Sequence, residues 1–126
     1  MLKVSSGTKW EDIVGYSRAV RVGNMVFVAG TTAVDGLVVV AEGNMYEQTR
    51  FIITKIEKAL QQCGASLTNV VQTRMYVTNI NQWEEVAKAH SEFFDTIRPA
   101  ATMVEVSALA MPQLLIEIEV IALIEV

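Results

Sequence analysis

The chain has 126 residues and a mass of 13.9 kDa, enough for one hydrophobic core and so for a single domain over 1–126. Its 10 basic and 14 acidic residues give a net charge of −4 with no basic stripe, which excludes nucleic acid as the main partner. No apolar run approaches the roughly 20 residues that cross a bilayer, no signal-peptide segment opens the chain, and a lone Cys63 excludes a disulfide framework or a cysteine metal cluster, so a cytoplasmic protein with no membrane partner is predicted.

In chain order, residues 1–12 are polar and are expected to be loosely held. Tyr16–Val22 and Met25–Ala29 flank Gly23-Asn24, a pair suited to the positive φ angles of a tight hairpin. Val26–Ala29, apolar on both faces, reads as an interior strand. Asp35-Gly36 marks a second turn into a short strand at Leu37–Val40. Asn44 with Glu47 three residues on forms a capping-box pattern and starts a helix. Ile52, Ile56, Ala59, Leu60 and Cys63 follow at helical spacing until Gly64. Val70–Val77 reads as a strand. A second helix is predicted from Asn81, with Glu84 as the reciprocal cap. Its inward stripe is Trp83, Val86, Ala87, His90, Phe93 and Phe94, and Glu84 pairs with Lys88 on the outside. Pro99 precedes a strand at Thr102–Val106, and Pro112 precedes the last strand.

That last strand carries the most information. Positions 114, 116, 118, 120, 122, 124 and 126 share one face and are all apolar. The opposite face sets Glu117, Glu119 and Glu125 among Leu115, Ile121 and Leu123, whereas a water-facing sheet would carry mainly polar residues there. Both faces are therefore expected to be covered, the second by another subunit, and the mean hydropathy of +0.34 agrees with a homo-oligomer. The order β-β-β-α-β-α-β-β predicts an α+β two-layer sandwich, a mixed sheet with two helices on one face.

Several side chains are candidates for chemistry. Glu117 reads either as a water-holding base or as a carboxylate paired across the subunit seam, for example with Arg74; Glu119 and Glu105 read as structural partners near it. Tyr16 either bonds a ligand or packs an interface. His90 has no His, Cys or carboxylate at metal-ligand spacing and reads as a core histidine. Cys63 reads as a small apolar residue, and Met75, Met103 and Met111 as packing. Thr31-Thr32 offers hydroxyls, or simply ends a strand.

The chain resembles the Rid family, also called YjgF or reactive-intermediate deaminase proteins, over essentially its full length. The resemblance rests on Gly15-Tyr16-Ser17 with Ala19-Val20, Gly23-Asn24 with Val28-Ala29-Gly30, and Arg98-Pro99-Ala100. It closes on Met103-Val104-Glu105-Val106 and Ile116-Glu117-Ile118-Glu119. It implies a chorismate-mutase-like fold and a homotrimer with a central barrel. Three clefts between subunits would take small molecules, and the implied activity is cofactor-free hydrolysis of 2-enamines and 2-imines to 2-keto acids and ammonia. Carried over singly, Glu117 corresponds to the water-holding glutamate, Tyr16 to the cleft tyrosine and Gly30 to the glycine whose backbone lines the pocket. The family's carboxylate-gripping arginine is replaced by Ala101, its nearby cysteine by Met103, and a pocket asparagine by Ala87. This places the chain in an arginine-less branch, where canonical 2-iminobutanoate deaminase activity is not expected. Arg18, Arg21, Arg74 and Arg98 are the candidate replacement cations, Arg18 and Arg98 standing nearest in sequence to Tyr16 and to the vacated position. The implied function is imine or enamine deamination or hydrolysis of a related C–N bond. The alternative is a non-catalytic metabolite-binding or protein-interaction module on the same scaffold.

Overall fold

A computed structural model describes residues 1–125. The strands are β1 (Leu2–Val4), β2 (Ala19–Val22), β3 (Met25–Thr32), β4 (Val34–Asp35), β5 (Val38–Val39), β6 (Val70–Val77), β7 (Ala100–Glu105) and β8 (Ile116–Leu123). The helices are α1 (Lys9–Val14), α2 (Met45–Gln62) and α3 (Trp83–Phe94). Six strands form one mixed sheet in the order β1-β2-β3-β8-β6-β7, and β4-β5 is a separate small hairpin. Among the described residues only the β6–β7 pair, joined through α3, is parallel. The architecture is the expected two-layer α+β type, with a third, short helix and two extra strands.

The alternation in the last strand dictates the layering. Ile116, Ile118, Val120 and Ala122 are buried under α2 and α3, while Glu117, Glu119 and Ile121 on the opposite face are half-buried. From α2, Ile52, Ile53, Ile56 and Leu60 are fully buried against this sheet, and each such side chain contributes about 1.5–3 kcal/mol. The Asn44 side chain accepts from the Glu47 N–H at 3.0 Å and caps α2. After Cys63, Gly64 turns the chain out at φ +79°, the left-handed region that glycine enters without strain.

Inside this apolar layer lies a fully buried Gln48. Its amide donates to the carbonyls of Ala41 (3.4 Å) and Gln113 (3.1 Å) and accepts from the Leu115 N–H (2.9 Å). It thereby ties α2 to the loop that aims β8. Gln48→Leu keeps the volume but strands these backbone groups, so we expect a loss of roughly 2–4 kcal/mol in urea unfolding.

Four expectations need correction. Residues 1–12 are not loose: β1 pairs with β2 at the sheet edge, and Glu11 is buried, accepting from the Ser6 N–H (3.2 Å), the Ser6 hydroxyl and the Thr8 hydroxyl (3.1 Å). Burial pushes that carboxyl up, but the serine and threonine donors outweigh it and hold it below the ordinary value. The polar residues here satisfy one another rather than water. The second helix begins at Trp83, not Asn81, because Ile80–Gln82 is a 3-10 turn opened by the Asn79 side chain, which accepts from the Asn81 N–H at 3.0 Å. Trp83 is half exposed rather than inward. Lys88 does not pair with Glu84; its ammonium lies 4.9 Å from the Tyr46 ring centre.

Candidate functional site

The site is built around an irregularity in β3. Val28 faces Val120 and Thr31 faces Ile118, so three steps along β3 meet two along β8. The extra residue makes a bulge that re-aims the strand. Gly30 sits in it, beside Glu117. A Cβ on Gly30 would lie 2.0 Å from Glu117 Oε2 and 2.9 Å from its carboxyl carbon. The Gly30 φ is not left-handed, so glycine is required for space, not for backbone freedom.

The Glu117 carboxylate is half-buried, and among the described residues it has neither a hydrogen-bond nor an ion-pair partner. Burial pushes its pKa up; the Arg18 guanidinium pulls it partly back, and the Glu119 charge raises it again. A carboxylate so placed holds a proton less reluctantly than a solvated one, which suits it to accept one from water and pass it on.

Arg18 is the cation of this neighbourhood. It is buried, its Nη2 donates to the Gly30 carbonyl at 2.9 Å and its Nη1 to the Thr31 hydroxyl at 3.3 Å, while its Nε has no partner among the described residues. The Tyr16 ring lies 5.6 Å from the guanidinium carbon. Gly15, at φ +87°, ends α1 and swings Tyr16 to this position. Tyr16, Arg18, Gly30 and Glu117 are therefore one neighbourhood.

Ala101 and Met103 belong to another. They lie on β7, facing Thr73 and Met75 of β6, and Ala87 lies on α3. Thr73 in turn faces Val120, three residues along β8 from Glu117. Two strand spacings and three residues put Ala101 about 14 Å from Glu117 within one chain. The remaining arginines are committed elsewhere. Arg98 is largely exposed and binds Asp95 at 3.3 Å, at a left-handed φ of +56° just past α3. Its guanidinium closes the helix end and is not brought to Glu117. Arg21 donates to the carbonyls of Gly23 and Cys63, both at 2.9 Å. Arg74 pairs with Glu119 at 3.7 Å, not with Glu117, and the Tyr76 hydroxyl donates to the same Glu119 at 2.5 Å. Glu105 lies on β7, away from both glutamates, and accepts from the Ile80 N–H at 3.0 Å.

His90 Nε2 is 3.0 Å from the Thr73 hydroxyl, and burial holds its pKa down. Among the described residues no three His, Cys, Asp or Glu side chains gather to hold a metal, and no helix is long and apolar enough to cross a membrane. Sequence reasoning missed Lys55, whose half-buried ammonium donates to the Val34 carbonyl at 2.7 Å. Its signal was faint: a lysine at the margin of the α2 apolar stripe.

A bulged glycine beside a sheltered glutamate on the central strand of a mixed, helix-backed sheet defines a class of small α+β proteins. The family model described as Endoribonuclease L-PSP matches residues 7–124. A crystal structure of a YjgF/YER057c/UK114 family member from Mycobacterium tuberculosis superposes with a TM-score of 0.90 at 49% identity, covering 98% of each chain. A RutC family protein of Pyrococcus abyssi is 40% identical over 110 residues, 85% of this chain and 84% of that one. A structure from Thermotoga maritima, described as a putative endoribonuclease, matches at 31% identity with a TM-score of 0.81, covering 98% of this chain and 92% of that one. The chain belongs to the Rid/YjgF family.

Proposed function

We propose that the protein is a homotrimer with a small-molecule cleft at each subunit seam, and that it hydrolyses small reactive imines or enamines, or a related C–N bond, without a cofactor. The observation that carries this reading is the Glu117 carboxylate, half-buried, unpaired among the described residues, and held against the side-chain-free backbone of Gly30. Two surfaces support assembly. Strand β7 is an edge with Ala100, Ala101, Thr102 and Val104 exposed, and the uncovered sheet face carries Phe27, Ile121 and Leu123 beside its polar residues. A second chain would bring its Ala101, Met103 and Ala87 towards the Glu117 neighbourhood, which one chain does not do.

In this mechanism Glu117 accepts a proton from a water as its oxygen attacks the C=N carbon. The proton passes to nitrogen to give a carbinolamine; its hydroxyl proton then moves to the same nitrogen by way of Glu117 as the C–N bond breaks, and ammonia leaves behind a carbonyl product. Tyr16 orients the ligand, and the buried Arg18 supplies a positive field. Arg18 does not replace a carboxylate clamp, since both of its Nη groups already donate to protein oxygens. A charge-assisted bond of that kind contributes about 1.5–3 kcal/mol, and Ala101 offers none. Uncharged imines should therefore be better substrates than 2-imino acids. The test is ammonia release from 2-iminobutanoate and from an uncharged imine. Wild type should outpace Glu117→Ala on the uncharged substrate by about 10²–10⁴-fold, and equal rates would remove Glu117 from the mechanism.

The same absence of a free guanidinium beside Glu117 favours a second reading, a module that binds a metabolite without converting it. A metabolite that raises the melting temperature and is recovered unchanged would support it. RNA cleavage, which the family description names, is not favoured: the chain carries a net charge of −4, and its one histidine is half-buried against Thr73.

A further inference from the structure

On the helical side, away from the Glu117 carboxylate, a groove of about 700 Å³ runs between the N-terminal segment, the β4–β5 hairpin and α2. That volume lies in the range of small-molecule sites. The groove gathers Lys9, Arg18, Lys55 and Lys58, four of the 10 basic residues of an acidic chain, against a single acidic wall residue, Asp35. Among the described residues none of the four cations has a carboxylate within ion-pair distance. Arg18 is buried with Nε unpartnered, and burial followed by the Arg18 charge holds the Lys55 ammonium below its ordinary pKa, with Asp35 and Glu11 only partly offsetting this. Ordinary surface lysines would spread into solvent and find loose counter-charges. Here unpaired cations converge on a wall that Trp10, Leu37 and Phe51 make apolar.

We propose that this groove is a binding site for a small organic anion, a flat apolar body resting on Trp10 and Leu37 and a carboxylate or phosphate head held by Lys55 and Lys58. An anion of this form supplies the missing counter-charge, and the aromatic wall takes up the body, with cations reaching over the Trp10 ring as Lys9 already does at 5.3 Å. Arg18 stands between the two sites, but neither Glu117 nor Gly30 lines the groove, and the anionic head is assigned to Lys55 and Lys58.

The test uses the two tryptophans. In Trp83→Phe, Trp10 is the remaining indole, so its fluorescence reports on the groove. Titration with phenyl phosphate should change it saturably, whereas benzyl alcohol at the same concentrations should not. Lys55→Met and Lys58→Met in that background should each weaken binding about tenfold, the scale of one lost charge-assisted bond. Glu117→Gln should leave it unchanged. If Lys55→Met does not fold for want of its bond to Val34, the exposed Lys58 carries the comparison. No saturable signal, equal response to benzyl alcohol, or affinity that ignores both lysines but falls with Glu117→Gln would each overturn the proposal.

Discussion

Glu117→Gln should give a protein that is more stable at neutral pH and slower in imine hydrolysis by about 10²–10⁴-fold. Both effects have one cause. Burial raises the Glu117 pKa above its ordinary 4.5, against the opposing pull of Arg18. Between the unfolded and the folded value, the native chain binds more protons than the unfolded one, so stability falls as pH rises through that window. Above the folded value the cost is fully present; below 4.5 both states are protonated and it is absent. Glutamine does not titrate and so avoids the cost. Thermal melts at neutral pH should show a gain of about 0.5–2 kcal/mol, shrinking as pH falls and vanishing below 4.5. A carboxylate kept for an ion pair would behave in the opposite way, since its removal would destabilise the fold most at neutral pH.

Gly30→Ala should damage function more than folding. The new Cβ would fall 2.0 Å from Glu117 Oε2, the far end of a flexible side chain. The cheapest relief is for the carboxylate to swing away, so stability should fall by no more than ~1 kcal/mol while hydrolysis drops about 10²-fold, the scale of an ångström-sized misplacement. In a Glu117→Ala background the atoms that clash are gone. There Gly30→Ala should be neutral or stabilising by about 0.4–1 kcal/mol, through reduced freedom of the unfolded chain. The double-mutant cycle should thus be strongly non-additive in both stability and rate. Additive changes would mean that Gly30 matters for some reason other than room for the carboxylate.

Where a physical signal was local, the sequence was readable. Asn44 and Gly64 bracket α2 as they bracket it in the fold, although the Glu47 side chain does not return the expected capping-box bond, and Val70–Val77 coincides with β6. The even–odd alternation of the last strand matches its burial residue by residue from Leu114 to Ala122. Distant partners were not readable. Nothing near Glu11 in sequence announces a buried carboxylate, because its donors Ser6 and Thr8 look like ordinary loop residues. Asn79 and Asn81 are equally good caps in isolation, and the 3-10 turn that selects Asn79 starts against Glu105, 25 residues away from Ile80.

The site divides in the same way. Tyr16, Gly30 and Glu117 came from the family pattern; the proximity of Gly30 to Glu117 follows from the β3–β8 pairing, while Gly15 at the end of α1 places Tyr16. That Arg18, rather than Arg98 or Arg74, stands near Glu117 depends on which acceptors each guanidinium reaches: Gly30 and Thr31, Asp95, or Glu119. Spacing along the chain points to Arg18, two residues after Tyr16, but carries no record of which acceptors each guanidinium reaches.

The strand order has one more effect. β8 lies in the middle of the sheet, between β3 and β6, although the ribosome makes it after both. While the chain is being synthesised, β3 and β6 each offer a bare hydrogen-bonding edge with no natural neighbour. Such edges recruit strands from other nascent chains, so the sheet is complete only once the segment around Ile116–Leu123 is free to insert between them.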